Sequence, residues 1–333
     1  MIRYFEKKDG TKILQEGDTN DPNDHAAFKE PPTIKEQITQ PEPPPIVVVS
    51  NPKVYDKGLT SDKVTSDYGQ RLIVDTQAEY NELMKDSGGW LKFQNHGGLW
   101  INNVKNIIIP RLDAENAWVL LFTNFEKVVI ESLNTTKMRV GPQFGDGIKF
   151  PNATGHVEIG TCTSSDNYRP QEIASQPQGD GILFDSRLLT FLIKKLITEK
   201  MGDGGIDNKA IGKILSWDST MDGNACKCWN TLEIVDAIIK DCGRFRNERG
   251  EGVQARASGG NARLVLSGKI EISNCKKPAE SIKSAVVTSG KTAITEITGQ
   301  ITVRRPTGYK GSVFMEVNGG DIPQSSRDKV III

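Results

Sequence analysis

A short pattern that recurs through residues 126–303 constrains the fold of this chain more than any other feature. In a typical copy, a glycine precedes alternating aliphatic residues, as in Gly155-His-Val-Glu-Ile159. Further copies begin at Gly212, Gly268 and Gly299, and Glu126-Lys-Val-Val-Ile130 fits with its glycine replaced. Successive copies lie 29, 57, 56 and 31 residues apart, so each long interval is about two short ones. One degenerate copy is therefore expected inside each long interval, near Phe191-Leu-Ile193 and near Leu232-Glu-Ile-Val235.

A second repeated element lies ahead of the first and consists of an acidic residue, a glycine and an aliphatic residue. Its copies begin at Asp146, Asp180, Asp203 and Glu251, at intervals of 34, 23 and 48 residues. Imperfect repeats with two short strands each indicate a stacked β-solenoid, because one such unit cannot bury its apolar face alone. The variable turn lengths favour an all-β fold, a right-handed parallel β-helix.

Side chains alternate along residues 262–272 as they do in strands with one buried face. Leu264 and Leu266 fall on one face, whereas Val265 and Glu271 fall on the other. The first face is expected to fill the bore of the solenoid. The apolar side chains predicted to face the bore are Val128, Val157, Ile159, Leu264, Leu266, Ile270, Ile272, Ile301 and Val303.

Residues 71–93 contain an amphipathic helix between two short strands. Asp75 or Thr76 can cap a helix over residues 77–86, and Gly88 followed by Gly89 ends it. The ends of a stacked solenoid expose unpaired backbone groups that have to be covered. We therefore predict that this helix caps the β-helix at its N-terminal end.

Residues 1–57 differ from the rest of the chain, because they contain 8 of the 16 prolines and only 2 of the 32 glycines. Polar, Pro-rich stretches favour extended or polyproline II conformations. We predict an extended attachment arm over residues 1–57, a β-helix domain over residues 58–318 and a C-terminal tail over residues 319–333. The outward-facing Val265 indicates an apolar outer stripe, so the β-helix is expected to form a homotrimer.

Composition and charge argue against several classes of partner. The chain has 42 basic and 42 acidic residues, so it lacks the net positive charge that attracts nucleic acid. No apolar run approaches the roughly 20 residues of a membrane span, and no signal-peptide core is visible. The five cysteines form no zinc spacing or even disulfide framework, which favours reduced thiols. We expect no nucleic-acid partner and no membrane insertion, and a virion or extracellular location.

The strand–helix–Gly-Gly-Trp entry at residues 71–93 and the Asp-Gly-Ile and Gly-x-Ile elements resemble the pectate-lyase-like superfamily of right-handed parallel β-helices. The resemblance covers about residues 68–318. The superfamily includes polysaccharide lyases, glycoside hydrolases, adhesins and phage tailspikes, so the fold leaves the activity open. Asp203-Gly-Gly-Ile-Asp207 is similar to an Asp-Asp-Gly-Ile-Asp stretch of calcium-dependent pectate lyases, with Gly204 in place of one aspartate. The resemblance implies Ca²⁺ bound by Asp203 and Asp207.

Three kinds of chemistry are open to the acidic turns. Asp-Gly is a common turn sequence, stacked carboxylates can hold a cation, and paired carboxylates can hydrolyse a glycosidic bond. A lyase needs in addition a neutral basic side chain, for which Lys209 and Arg256 are the candidates. The candidate catalytic residues are Asp180, Asp203, Asp207 and Lys209. The candidate carbohydrate-binding residues are Asp146, Arg256 and Trp217, the last as an exposed platform on which a sugar stacks.

The sequence favours a phage virion protein, a tailspike, fibre or baseplate-associated component that binds cell-surface polysaccharide. A β-helix without a disulfide framework or a visible signal peptide fits a protein released by lysis. The Pro-rich arm would then dock on other virion proteins. Two alternatives stay open: a calcium-dependent polysaccharide lyase or glycoside hydrolase, and a purely structural β-helix.

Overall fold

The structure, a computed structural model, describes residues 2–6, 12–16, 51–56, 71–138, 146–167, 179–243, 251–258, 260–275, 284–305 and 312–333. The chain divides into two compact units, Met1–Pro44 and Pro45–Ile333. In the first unit, β1 (Ile2–Glu6) pairs antiparallel with β2 (Lys12–Glu16), where the sequence predicts extended chain. Most of the predicted attachment arm, residues 17–50, lies outside the described residues.

The second unit consists almost entirely of short strands with two helices. Along the chain its elements are β3 (Lys53–Asp56), β4 (Leu72–Val74), α1 (Gln77–Ser87), β5 (Trp90–Gln94), β6 (Leu99–Ile101), β7 (Asn106–Glu115), β8 (Leu120–Phe122), β9 (Lys127–Thr136), β10 (Ile148–Pro151), β11 (His156–Ser165), β12 (Asp180–Asp185), β13 (Thr190–Glu199), β14 (Gly204–Asn208), β15 (Ile211–Thr220), β16 (Asn224–Cys228), β17 (Thr231–Lys240), β18 (Val253–Arg256), β19 (Ala262–Leu266), β20 (Lys269–Ser273), β21 (Val286–Ser289), β22 (Ala293–Ile297), β23 (Gln300–Arg304), β24 (Phe314–Val317), α2 (Gln324–Arg327) and β25 (Val330–Ile332).

The strands of the second unit form two parallel sheets. The short sheet contains β4, β6, β8, β10, β12, β14, β16, β18, β21 and β24, in that order. The long sheet contains β3, β5, β7, β9, β11, β13, β15, β17, β20, β23 and β25, with β19 and β22 paired beside it. Each strand pairs in parallel with the equivalent strand one coil later, as β11 does with β13 and β13 with β15. The predicted fold, a right-handed parallel β-helix, is confirmed.

The glycine repeat is real, but its register differs from the one that the sequence suggests. The two degenerate copies expected near Phe191 and Leu232 are present as β13 and β17. The first half of β17 pairs with β19 and its second half with β20. The copies that begin at Gly268 and Gly299 therefore stack on the second half of the long strands, whereas the Gly155 copy belongs to the first half. The glycine therefore marks no single position in the coil: Gly268 precedes β20, whereas Gly212 lies within β15.

The bore of the β-helix is filled by the apolar side chains that the alternation predicts. All nine side chains predicted to face it are buried, with at most 5% of their surface exposed, and Val265 points outward. Aromatic rings stack from coil to coil within the bore. Their centroids are 5.5 Å apart for Phe122 and Phe150, 5.2 Å for Phe150 and Phe184, and 3.9 Å for Phe184 and Phe191.

Paired strands occur on both sides of residues 58–318, the range predicted for the β-helix. Strand β3 lies within residues 1–57 and pairs with β5. Strand β25 lies within residues 319–333 and pairs with β23.

Helix α1 begins and ends where the sequence predicts. The Thr76 side chain accepts a hydrogen bond from the Glu79 N–H, and the Glu79 carboxylate accepts one from the Thr76 N–H, which is a capping box. Gly88 ends the helix in the left-handed conformation, with φ of 56°.

The same helix covers an open strand edge. Within β7, strand β5 pairs only with the second half, and no strand of the described residues precedes the first half. The Tyr80 hydroxyl donates to the carbonyl of Ile108 and accepts from its N–H, both at 2.6 Å. The Gln77 side-chain amide likewise donates to the carbonyl of Asn106 and accepts from its N–H. The helix therefore satisfies backbone groups that the end of the solenoid leaves unpaired, and the predicted cap is confirmed.

Candidate functional site

The acidic Asp-Gly elements stack on successive coils of the short sheet. Ile182 of β12 is the direct neighbour of Ile206 of β14, so the aliphatic positions of the elements align as predicted. The acidic positions do not align throughout. Asp180 is paired with Gly204, because the element that begins at Asp203 has one glycine more than the element that begins at Asp180. Asp203 therefore lies one residue before the position that is aligned with Asp180.

Three of the predicted catalytic residues converge on one ammonium group, that of Lys227. Its Nζ lies 2.7 Å from Asp203 Oδ2, 3.2 Å from Asp207 Oδ2 and 3.2 Å from Asp180 Oδ1. Asp207 and Lys227 are directly opposite each other in β14 and β16. The three aspartates thus surround a cation that belongs to the chain itself.

These four residues, which we call the acidic cluster (Asp180, Asp203, Asp207 and Lys227), lie on the outer face of the short sheet. Ile206 is fully buried in the bore, so its neighbour Asp207 points to the opposite face. The Lys227 side chain is nevertheless only 3% exposed and that of Asp180 only 8%. The side chains of Asp203 and Asp207 are 16% and 15% exposed. Asp203 and Asp207 therefore form the edge at which a ligand can contact the cluster.

Burial and charge act in opposite directions on the acidic cluster. Burial raises the pKa of Asp180 well above its usual range; Lys227 lowers that pKa, and the carboxylates of Asp203 and Asp207 raise it. Burial by itself would lower the pKa of Lys227, but the surrounding carboxylates outweigh it, and this pKa is raised. Lys227 therefore stays cationic, and Asp180 is the carboxyl group of the cluster whose ionised form burial disfavours.

One oxygen at the exposed edge of the cluster has no donor. Asp207 Oδ2 contacts the Lys227 ammonium, but Asp207 Oδ1 is buried and accepts no hydrogen bond from the described residues. Buried polar atoms in folded proteins nearly always have a partner. A hydroxyl or amide group of a ligand can reach this oxygen only if the side chains that cover it move.

Gly204 makes room for the cluster. A Cβ atom at this position would lie 2.9 Å from Asp180 Oδ1 and 3.1 Å from Lys227 Cε. This is the position at which the lyase-like stretch has an aspartate. The lack of a side chain there lets Lys227 approach all three carboxylates.

Asp146 lies one coil before Asp180 and extends the cluster inward. Its Oδ1 accepts a hydrogen bond from the Asp180 N–H at 3.3 Å, and the residue is 2% exposed. Burial raises the pKa of Asp146 to about 6. At this depth Asp146 has almost no surface that a sugar could contact, which argues against its predicted role in carbohydrate binding.

The prediction that Trp217 is an exposed stacking platform is wrong. Its side chain is 1% exposed and lies in the bore, where Nε1 donates to the Thr198 hydroxyl at 3.0 Å. Trp217 is aligned with Leu196 and Ala237, which are also buried. Its neighbours in the sequence are polar because residues of a strand alternate between faces, and this alternation decides its position.

Lys209 and Arg256 lie outside the acidic cluster. Lys209 Nζ pairs with Asp185 at 2.6 Å. The Arg256 guanidinium lies 4.6 Å from the centroid of the Trp229 ring. The structure therefore brings together three of the four candidate catalytic residues and leaves Lys209 in a separate ion pair.

Lys227 and Trp229 are the candidate residues that the sequence analysis missed. They belong to the degenerate copy of the acidic element that the 48-residue interval implies, and this copy has Asn224 where the others have an acidic residue. In the sheet, Cys226 pairs with Ile206. Aligning these two residues in the sequence would have placed Lys227 beside Asp207, one of the predicted acidic residues.

A separate groove of about 510 Å³ lies on the outer face of the long sheet. Its lining includes Lys213, Glu233 and Arg263. Glu233 accepts hydrogen bonds from Lys213 at 3.0 Å and Ser267 at 2.7 Å, and Arg263 pairs with Glu296 at 2.7 Å. These side chains form hydrogen bonds and ion pairs with one another. Fewer of their polar atoms therefore remain to bind a ligand than in the acidic cluster.

Within the described ranges, no group of three or more His, Cys, Asp or Glu side chains is arranged to hold a metal ion. At Asp203 and Asp207, where the resemblance implies Ca²⁺, the neighbouring cation is the Lys227 ammonium. Neither of the helices in the described part of the chain is long and apolar enough to cross a membrane.

Comparison of this chain with protein-family models, with curated proteins and with solved structures finds no match. The likeness to the pectate-lyase-like superfamily therefore depends on the fold and on the motifs described above. The function has to be argued from the acidic cluster and its surroundings.

Proposed function

We propose that this protein is a phage virion component, of the tailspike, fibre or baseplate-associated type, that binds cell-surface polysaccharide at the acidic cluster. The observation that carries the proposal is the gathering of Asp203 and Asp207, both partly exposed, around Lys227 on the outer face of the short sheet. Carboxylates accept hydrogen bonds and an ammonium group donates them, and sugar hydroxyls do both. The cluster therefore presents the mixed polarity that carbohydrate requires.

The shape of the sheet suits a polymer. Side chains in the same register repeat at each coil, about 4.8 Å apart. Asp207 of β14 and Lys227 of β16 occupy one such row, and the Asp207 side chain is 15% exposed. A chain of sugar residues that runs along the solenoid would meet these groups in sequence.

Assignment to a virion is supported by the sequence. The β-helix has no disulfide framework, and a Pro-rich segment precedes it, which would dock on other virion proteins. We include a homotrimer in the proposal, with neighbouring β-helices packed side by side. Light scattering of the full chain tests the trimer, and a monomer would refute that part of the proposal alone.

Binding is tested by titrating the protein with capsular and pectic polysaccharides. The variant Asp203→Asn with Asp207→Asn should bind the recognised polymer at least about tenfold more weakly, because charge-assisted hydrogen bonds are lost. The matched control is Asp218→Asn with Glu115→Gln, which changes two carboxylates on the long sheet. Circular dichroism verifies that both variants are folded. Unchanged affinity in the Asp203/Asp207 variant would place the binding site elsewhere.

Glycoside hydrolysis is a second candidate function, favoured by one observation. Burial raises the pKa of Asp180, which lies beside the carboxylates of Asp203 and Asp207, and neighbouring carboxyl groups with different pKa values can supply a proton donor and a nucleophile. Asp180 Oδ1 and Asp203 Oδ2 contact the same nitrogen at 3.2 and 2.7 Å, so they are less than 6 Å apart. This separation is shorter than the roughly 6.5–9.5 Å of inverting enzymes.

Product analysis separates the two functions. New reducing ends on the bound polymer, absent with Asp180→Asn, would indicate a hydrolase. Unsaturated products that absorb ultraviolet light would instead indicate a lyase. Binding without products would support a protein that only adheres to the polysaccharide.

A further inference from the structure

The outer face of the short sheet continues past the acidic cluster to a tryptophan and an arginine. Trp229 follows β16 two residues after Lys227, and its N–H still donates to the Asn208 carbonyl at 2.7 Å. Residues two apart in a strand point to the same face, about 7 Å from each other. Arg256 ends β18, on the next coil. Trp229 and Arg256 therefore lie beside the cluster, one step along the strands.

Arg256 differs from other arginines of the β-helix in its contacts. Arg263 pairs with Glu296 at 2.7 Å, and Arg304 pairs with Glu271 at 2.8 Å. The Arg256 guanidinium lies over the Trp229 ring at 4.6 Å and forms no salt bridge with any described residue. The ring packs against the planar guanidinium group. The N–H groups of Arg256 form no salt bridge with a carboxylate of the described residues.

Trp229 carries a second donor without a partner. Its Nε1 is buried and donates no hydrogen bond to the described residues. Leaving a buried donor unpaired is unfavourable, so each such group needs an explanation, of which a bound water, ion or ligand is one. Two side chains with donors that lack acceptors among the described residues thus lie next to each other, on the same face as the acidic cluster.

We propose that Trp229 and Arg256 form a subsite for the carboxylate of an acidic sugar, so that the polymer recognised by this protein is anionic. This inference rests on the proposed function. A guanidinium group binds a carboxylate through two parallel hydrogen bonds, a geometry that hydroxyl groups do not match. The neighbouring carboxylates of Asp203 and Asp207 repel an anion, so the carboxylate of the ligand is confined to Arg256. Hydroxyls of the adjoining sugar residue then face the acidic cluster.

The test compares acidic polymers with their own neutral forms. Hyaluronate, alginate and polysialate are titrated beside the same polymers after their carboxyl groups have been reduced to alcohols. The wild type should bind one or more of the acidic forms at least about tenfold more tightly than its reduced counterpart. Arg256→Gln should remove this preference, and Trp229→Phe, which keeps an aromatic ring and removes the N–H, should weaken it. Arg304→Gln, an exposed arginine on the long sheet, is the control and should change nothing.

The outcomes separate this inference from the function on which it rests. Equal binding of acidic and reduced polymers would overturn the inference and leave polysaccharide binding standing. An Arg256→Gln variant that is folded by circular dichroism and keeps the full preference would also overturn it. Failure of the wild type to bind any polymer, neutral or acidic, would overturn both.

Discussion

Replacement of Asp222 by asparagine is expected to stabilise the protein above neutral pH. Asp222 is fully buried at the end of β15. Its carboxylate accepts hydrogen bonds from the Met201 N–H at 2.9 Å, the Ser219 hydroxyl at 2.7 Å and the Thr198 hydroxyl at 2.5 Å. Burial nevertheless raises the pKa of Asp222 to about 7, and Glu199 adds to this shift. Ionisation of the group therefore opposes folding.

The chain itself shows that asparagine fits this kind of position. Asn167 lies two residues after β11 as Asp222 lies two residues after β15, and its Oδ1 accepts a hydrogen bond from the Met138 N–H at 3.0 Å. Its Nδ2 donates to the Ser164 hydroxyl at 2.9 Å. An asparagine at 222 can repeat both contacts, with Met201 and Ser219 as partners. The substitution removes the charge and keeps the geometry.

The size of the effect follows from the two pKa values of Asp222. An ordinary aspartate ionises near pH 3.8, whereas the buried group ionises at about 7. Between these values the folded state holds a proton that the unfolded state has lost, so stability falls as pH rises. The stabilising contribution is complete below pH 3.8 and is lost once the pH passes 7. At about 1.4 kcal/mol per pKa unit, the loss between pH 5 and pH 8 is about 3 kcal/mol.

The assay is denaturant unfolding of the wild type and Asp222→Asn at pH 5 and pH 8, at constant ionic strength. Agreement of unfolding and refolding curves is required first, because many large proteins unfold irreversibly. The free energy of unfolding of the wild type should fall by about 3 kcal/mol more than that of the variant between the two pH values. Asp218→Asn, on the outward face of the same strand, should follow the wild type. Parallel pH dependence of Asp222→Asn and the wild type would refute the argument.

Three further substitutions test other parts of the structure. Leu266→Asp places an unpaired charge in the bore and should prevent folding, as seen by circular dichroism, whereas Val265→Asp on the outer face should be tolerated. Lys227→Met leaves buried carboxylates without their cation and should lower the free energy of unfolding, measured by denaturant unfolding, by about 3–5 kcal/mol. Tyr80→Phe removes both hydrogen bonds to Ile108 and should cost about 1–3 kcal/mol, with faster amide exchange at Ile108 if the cap has opened.

The fold could be predicted from the sequence because two sequence patterns repeat along the chain. The acidic element recurs at four strands of the short sheet, β10, β12, β14 and β18, and the alternation of apolar residues identifies the bore, so both the solenoid and its core were predictable. The exact register was not. Gly212 aligns with Phe191, whose ring lies 2.0 Å from where a Cβ atom would be, so this glycine makes space for a ring in the bore. The Gly268 copy instead follows a bend, and one sequence pattern thus serves two different physical needs.

The site could be predicted only in part, because sequence shows spacing and not the direction of each side chain. Asp180, Asp203 and Asp207 were found since each lies in or beside a repeated acidic turn. Trp217 was misplaced because polar neighbours were taken to mean exposure, although they alternate with inward positions. Lys227 lies in a copy that lost the acidic pattern, so only the strand register places it beside Asp207.

Gly204 and Lys227 are best understood as two halves of one arrangement. Relative to the lyase-like stretch, the glycine removes one carboxylate, and the lysine adds an ammonium group in contact with the remaining three. A side chain at position 204 would meet both Asp180 and Lys227, so an aspartate there and the present lysine conformation exclude each other. Together the two residues make the site less negative by two charges. A divalent cation binds best where carboxylates have no such internal partner, so this arrangement favours the hydroxyl groups of a sugar over Ca²⁺ as the ligand of the acidic cluster.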